Sequence, residues 1–212
     1  MATITVNKGP DYDVGAYNLR TNINKLNTYK NITIKDESNV GVVASLDSLF
    51  ENMVNVVNIN IQMNTSTVSG CWCMCYNCTN LKSISNFNTS NVTSVSGMFS
   101  NCVKLVSVPN FDFRKATDFD CFRGCRNLRD LPQFNLPNLY SNGLIQAFAN
   151  CNNLSNASVQ NIINICLNMT NVSSGYMNLN TFNWNSPFCY TNIVNTRYQN
   201  RWAELNAKGW TY

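Results

Sequence analysis

The stretch Phe99-Ser100-Asn101-Cys102-Val103-Lys104-Leu105-Val106-Ser107-Val108-Pro109-Asn110-Phe111 returns 23 residues later as Phe122-Arg123-Gly124-Cys125-Arg126-Asn127-Leu128-Arg129-Asp130-Leu131-Pro132-Gln133-Phe134. Both follow the template F-x-[NG]-C-x-x-L-x-x-[ILV]-x-x-F. A third copy, Cys75 to Phe87, has Cys75 in place of the first Phe, and a looser fourth runs from Phe50 to Ile59 with Met53 at the Cys position. A fifth begins Phe148-Ala149-Asn150-Cys151-Asn152-Asn153-Leu154 and then departs. The Leu position is filled by Val56, Leu81, Leu105, Leu128 and Leu154, at steps of 25, 24, 23 and 26. Upstream, Ile4-Thr5-Val6 matches Ile32-Thr33-Ile34 at a step of 28, and these match Ile59-Asn60-Ile61 at 27. A fixed period of this length is the mark of a repeat architecture.

Each turn has a physical logic. Leu-x-x-Ile is a short strand with alternating sides. Asn-rich and Pro-containing corners follow, then an arc such as Val92-Thr93-Ser94-Val95-Ser96-Gly97-Met98-Phe99, whose apolar residues recur every three to four and predict a short helical or irregular segment. One turn cannot bury its apolar side alone, whereas stacked turns share a core. The expected fold is therefore an α/β solenoid of turns about 23–28 residues long. It divides into N-terminal turns over 1–42, the clear repeats over 43–154 and a helical cap over 155–212. In the cap, apolar residues at 159, 162, 163 and 166 predict an amphipathic helix. A last helix is expected from Thr191 or Asn192 as its cap to Gly209 at its C′ position. Recurrent amides at Asn52, Asn77, Asn101 and Asn150 are expected to satisfy corner backbone groups.

Charge is scarce. The chain of 212 residues has 15 basic and 11 acidic side chains, no His and 39 Asn. From Asn52 to Phe111 the charged residues are Lys82 and Lys104 alone. Beyond them Arg114, Lys115, Arg123, Arg126 and Arg129 are interleaved with Asp112, Asp118, Asp120 and Asp130, so the clustered basic stripe that nucleic acid requires is missing. No run approaches the 18 apolar residues of a membrane span. The start, Met1 to Pro10, lacks the basic and apolar regions of a signal peptide, so no export signal is expected. Without imidazole no His-based catalytic device is available, and no enzymatic site or cofactor is predicted. Sequons such as Asn88-Thr89-Ser90 and Asn91-Val92-Thr93 follow from composition.

Ten Cys raise the question of a disulfide scaffold. Cys78, Cys102, Cys125 and Cys151 share one repeat position with Met53, which reads as an inward apolar slot. Stacking sets their Cβ atoms about 5 Å apart with parallel vectors, wider than the roughly 3.8 Å of a disulfide. Free buried thiols and a reducing compartment of synthesis are expected. Cys71-Trp72-Cys73-Met74-Cys75-Tyr76-Asn77-Cys78 could bind zinc, but Cys75 and Cys78 already have inward repeat slots, and no metal site is predicted.

These motifs resemble the BspA-like leucine-rich repeats over roughly residues 43–154. Asn86-Phe87-Asn88-Thr89-Ser90-Asn91-Val92-Thr93 through Met98-Phe99-Ser100-Asn101-Cys102 carries the likeness best. Phe111-Asp112-Phe113-Arg114-Lys115-Ala116-Thr117 departs from it. Such repeats occur in surface proteins of Firmicutes, Bacteroidetes and mycoplasmas and in proteins of their phages. The ending, Ala203-Glu204-Leu205-Asn206-Ala207-Lys208-Gly209-Trp210-Thr211, is similar to the terminal element of repeat proteins from phages of gut Firmicutes.

The resemblance implies a leucine-rich-repeat-like stack. With no export signal in view, it also implies a non-enzymatic virion protein, tail- or capsid-associated, made in the host cytoplasm. Its expected partners are other virion proteins, further copies of itself, and a host-surface protein or glycan, without nucleic acid or membrane insertion. The alternative is a bacterial cell-surface adhesion or interaction module lacking its export signal. The expected ligand face is the outward side of the strands: Asn31, Thr33, Asn58, Asn60, Ser83, Ser85, Ser107 and Asp130, with Pro109 and Pro132 between. It is an almost uncharged strip of amides and hydroxyls. The bland reading is that these are ordinary solvated strand positions.

Overall fold

The computed structural model describes residues 3–7, 27–35, 43–139, 144, 146–169 and 199–208, with the backbone alone at 3–7, 199 and 200. Strands β1 (Thr3–Asn7), β2 (Asn31–Lys35), β3 (Asn58–Gln62) and β4 (Ser83–Ile84) form one parallel sheet in chain order. Their register is the one the repeats predict, with Ile4 opposite Ile32 and Ile32 opposite Ile59. Alternate residues Ile32, Ile34, Ile59 and Ile61 are buried, as a pleated strand with one solvated face requires.

The ladder thins toward the C-terminus. β4 has two residues, and the next pair of units shares a single parallel bridge between Ser107 and Asp130. Proline supplies the reason. The Ser85 amide donates to the Ile59 carbonyl at 2.9 Å. Pro109 and Pro132 hold the same place in the next two units and have no N–H to give.

The arcs differ from expectation. Val92 to Phe99 is not helical but a run of tight turns, with Met98 N donating to Val95 O and Cys102 N to Phe99 O. Between these, alternate amides reach sideways into the following unit. Leu46 donates to Gly70, Ser48 to Trp72, Phe50 to Met74 and Asn52 to Tyr76; Cys71, Cys73, Cys75 and Asn77 repeat the pattern onto Ser94, Ser96, Met98 and Ser100. A helix would turn those amides back along its own chain; here the adjacent unit takes them. The apolar spacing was informative all the same, since Val92, Val95, Met98, Phe99 and Cys102 are all buried.

The [NG] position proves to be a backbone requirement. Asn52, Asn77, Asn101 and Asn150 have φ of 64°, 59°, 63° and 62°, and Gly124 has 77°. Left-handed backbone is open to Gly and, among other residues, most readily to Asn and Asp. The expected amide ladder appears where Asn77 Nδ2 donates to Asn52 Oδ1 at 2.9 Å.

Inside, Val56, Leu81, Leu105 and Leu128 form one buried row, with Ile59, Ile84, Val108 and Leu131 beside it. Phe99, Phe122 and Phe148 stack with centroids 5.7 and 6.0 Å apart. The Cys row does more than fill space. Cys78, Cys102, Cys125 and Cys151 each donate S–H to a buried carbonyl of the preceding unit, those of Phe50, Cys75, Phe99 and Phe122, at 3.0–3.1 Å.

Helix α1 (Asn156–Asn168) closes this end, with Ser155 as N-cap and Val159, Ile162, Ile163 and Cys166 buried as predicted. It also replaces the missing next strand with side chains. Ser158 Oγ accepts from Leu131 N and donates to Arg129 O, both at 2.8 Å, while Asn161 Nδ2 donates to Leu131 O at 2.8 Å. Helix α2 (Gln199–Ala207) rests on α1 through Arg201, bonded to Gln160 Oε1 and Asn164 Oδ1. Thr191, Asn192 and Gly209 lie outside the described residues.

Candidate functional site

On the strand side, Asn58 and Asn60 project from β3 beside Asn31 and Thr33 of β2, all half-buried, with Ser83, Ser107 and Asp130 exposed. Three of the predicted residues form a chain of side-chain hydrogen bonds across adjacent strands. Asn58 Nδ2 donates to Asn31 Oδ1 at 2.6 Å, and Ser83 Oγ donates to Asn58 Oδ1 at 2.7 Å. Each bond fixes a rotamer that a free side chain would sample. Ser85 is engaged differently, since its hydroxyl accepts the Ile61 amide at 2.7 Å and completes the ladder where β4 ends. Ser107 and Asp130 continue the strip as the bridged pair.

On the arc side lies a cleft of about 320 Å³ that the repeat frame did not predict. It is lined by Tyr76, Ser96, Asn101, Asp120, Arg123 and Asn150, among others. The left-handed Asn101 and Asn150 form part of its wall because their backbone turns there. The cleft falls where the fourth unit loses its regular pairing, with Gly97 N bonded to Asp120 O and Cys121 N turned back to Phe119 O. The signal in the sequence was the departure at Phe111–Thr117, just before Asp118 and Asp120.

Asp118 caps the preceding arc, its Oδ1 accepting Val95 N at 2.8 Å. Asp120 has a buried Oδ1 with no hydrogen-bond partner among the described residues. Burial pushes its carboxyl above the usual range, Arg123 opposes the rise and Asp118 adds to it. Trp72 is half-exposed, at 51%, and its neighbour Cys73 bonds through its amide to Ser96 O. Trp72 therefore stands next to the cleft's edge, four residues before Tyr76.

The cysteine cluster is spread by the fold. Cys71, Cys75 and Cys78 are buried in the core, whereas Cys73 is half-buried on the arc. Among the described residues no group of three His, Cys, Asp or Glu side chains is placed to hold a metal ion. Burial first, then Glu51, Asp47 and Asp120, push the Cys73 thiol up to about 11. It therefore stays protonated and weakly nucleophilic at neutral pH.

No curated protein matches the chain. Among solved structures it is similar to a leucine-rich repeat protein of T. pallidum, at 14% identity, covering 77% of this chain and 88% of that one. The TM-score is 0.32, and at that value the likeness carries no argument. A family model described as "Mycoplasma protein of unknown function, DUF285" matches residues 17–134, more than half of the 212, and the chain belongs to that family.

Proposed function

We propose that the chain is a non-enzymatic interaction module, a leucine-rich-repeat solenoid of the BspA-like kind whose strand face binds a protein or a host-surface glycan. The observation that carries this reading is the Asn31–Asn58–Ser83 chain of hydrogen bonds. A surface whose polar groups are already held in place loses less entropy on binding. A strip of neutral amides and hydroxyls suits a hydrogen-bonding partner better than a polyanion. The setting we propose is a phage virion, tail- or capsid-associated. Its support is the terminal segment's similarity to phage repeat proteins, and a thiol row that must stay reduced to make its hydrogen bonds, as it would in a particle assembled in cytoplasm. The family's description as a Mycoplasma protein favours a second reading in one respect, a bacterial cell-surface adhesion or interaction module.

The test is a charge scan with Lys or Glu at Asn58, Ser83 and Ser107, each variant checked for its fold. Attachment to host cells, of particles or of the purified chain, should fall for at least one. Unchanged attachment in all of them removes this face. Mass spectrometry of purified particles against washed cell envelopes separates the two settings.

A further inference from the structure

We infer that the arc-side cleft is a second, separate binding site, and that it takes a neutral saccharide. Its volume, about 320 Å³, lies at the lower end of small-molecule sites and is enough for one or two sugar rings. Its chemistry is selective. Asp120 Oδ1 is buried and has no donor among the described residues, and such a group in a native fold calls for an explanation. A ligand hydroxyl supplies that donor. Asn101, Asn150 and Arg123 line the same space with N–H groups able to donate to a second hydroxyl, the paired donor-and-acceptor arrangement that a vicinal diol matches.

Other occupants fit less well. An ammonium group would satisfy Asp120 but would face the Arg123 guanidinium in the same lining. An anion would meet Asp120, with Asp118 acting on the same carboxyl. An apolar ligand would strip water from amides and a carboxylate without replacing it. Next to the edge stands Trp72, 51% exposed among few exposed large hydrophobics. An aromatic face in that position can pack against the C–H side of a sugar while its hydroxyls are read within.

The experiment titrates the full chain with maltose, cellobiose, N,N′-diacetylchitobiose and methyl mannoside, using lysine methyl ester as the cationic probe. Binding is read by saturation-transfer NMR and Trp fluorescence. At least one saccharide should bind with Kd on the order of 1 mM or tighter. Asp120→Asn and Trp72→Ala should each weaken it about tenfold or more. Asp120→Asn should melt no lower than the parent at pH 7, since it removes a charge held in a partly desolvated place; loss of affinity with retained stability therefore excludes misfolding. The inference is overturned if no saccharide binds up to about 50 mM, roughly fifty times the expected Kd. It is equally overturned if both variants bind as the parent does, or if lysine methyl ester binds in place of the sugars. The strand-face charge scan reads a different surface, so either result stands without the other.

Discussion

Asn101 and Gly124 answer the same demand in consecutive units, a left-handed turn at φ of 63° and 77°. They also meet, because a Cβ added at Gly124 would strike Asn101 Oδ1 and lie 3.4 Å from Asn101 Cα. Gly124→Ala should therefore lose about 1–3 kcal/mol, combining left-handed strain with the clash. Asn101→Gly should stay within about 0.5 kcal/mol of the parent, and Asn101→Ala should lose about 1 kcal/mol. Urea unfolding with unchanged slope is the measurement. Equal stabilities for all three variants would contradict the backbone account of the [NG] position. In the sequence the recurrence of Asn was plain but its cause was not. A stacked amide and a left-handed φ call for the same residue, and the Gly at 124 was the clue, because it has no amide to stack. The thiols carried a similar ambiguity. Alternation of Met and Cys at one slot marked it as inward, but nothing in spacing alone reveals that each S–H reaches the carbonyl of the preceding unit.

At the scale of elements, repeats fixed the register of β1, β2 and β3 before any coordinates, because identical residues two apart must lie on one face. The arcs were less legible. Apolar spacing of three to four is shared by a helix and by successive tight turns, and what separates them is whether an amide finds its partner in its own chain or its neighbour. Phe99→Ala tests the shared core. Phe99 is buried between the rings of Phe111 and Phe122, with centroids 6.2 and 5.7 Å away, so truncation should cost about 3–5 kcal/mol. A thermal shift near zero would refute the frame. Helix α1 offers a sharper test, since its polar role was invisible in its apolar periodicity. Ser158→Ala removes both the acceptor for Leu131 N and the donor to Arg129 O. Leaving those groups unsatisfied should cost about 1–3 kcal/mol, measured by urea unfolding. A loss below about 0.3 kcal/mol, within the usual scatter of surface changes, would show that the helix caps by apolar packing alone.

For the whole molecule, cohesion comes from uncharged groups. The two ion pairs seen among the described residues, Arg114–Asp112 and Arg201–Glu204, join close neighbours in sequence at exposed or partly exposed positions, where such pairs contribute little. Stability rests on a continuous apolar core edged by amide, hydroxyl and thiol hydrogen bonds, a balance already visible in the long stretch without acids. The binding sites were legible unevenly for the same reason. The strand face follows directly from alternation, whereas the cleft arises where the repeat breaks, and a template describes only what it repeats. The reduced thiols join these scales in one measurement. Nine cysteines are free among the described residues, eight of them buried, and Cys189 lies outside that set. Burial raises Cys71, Cys75, Cys102, Cys121, Cys125 and Cys166, and pushes Cys151 up to about 12. Even half-buried Cys73, at about 11, is about one part in a thousand thiolate at pH 8. The folded chain should therefore react slowly with a thiol reagent at pH 8 at all nine positions, and raising the pH toward 11 should speed Cys73 before the others. In denaturant all ten should titrate at once. Recovery of a native disulfide in non-reducing peptide maps would break the account at every level. A paired cysteine could no longer donate its S–H to the preceding unit, and the reducing compartment proposed for its folding would lose its support.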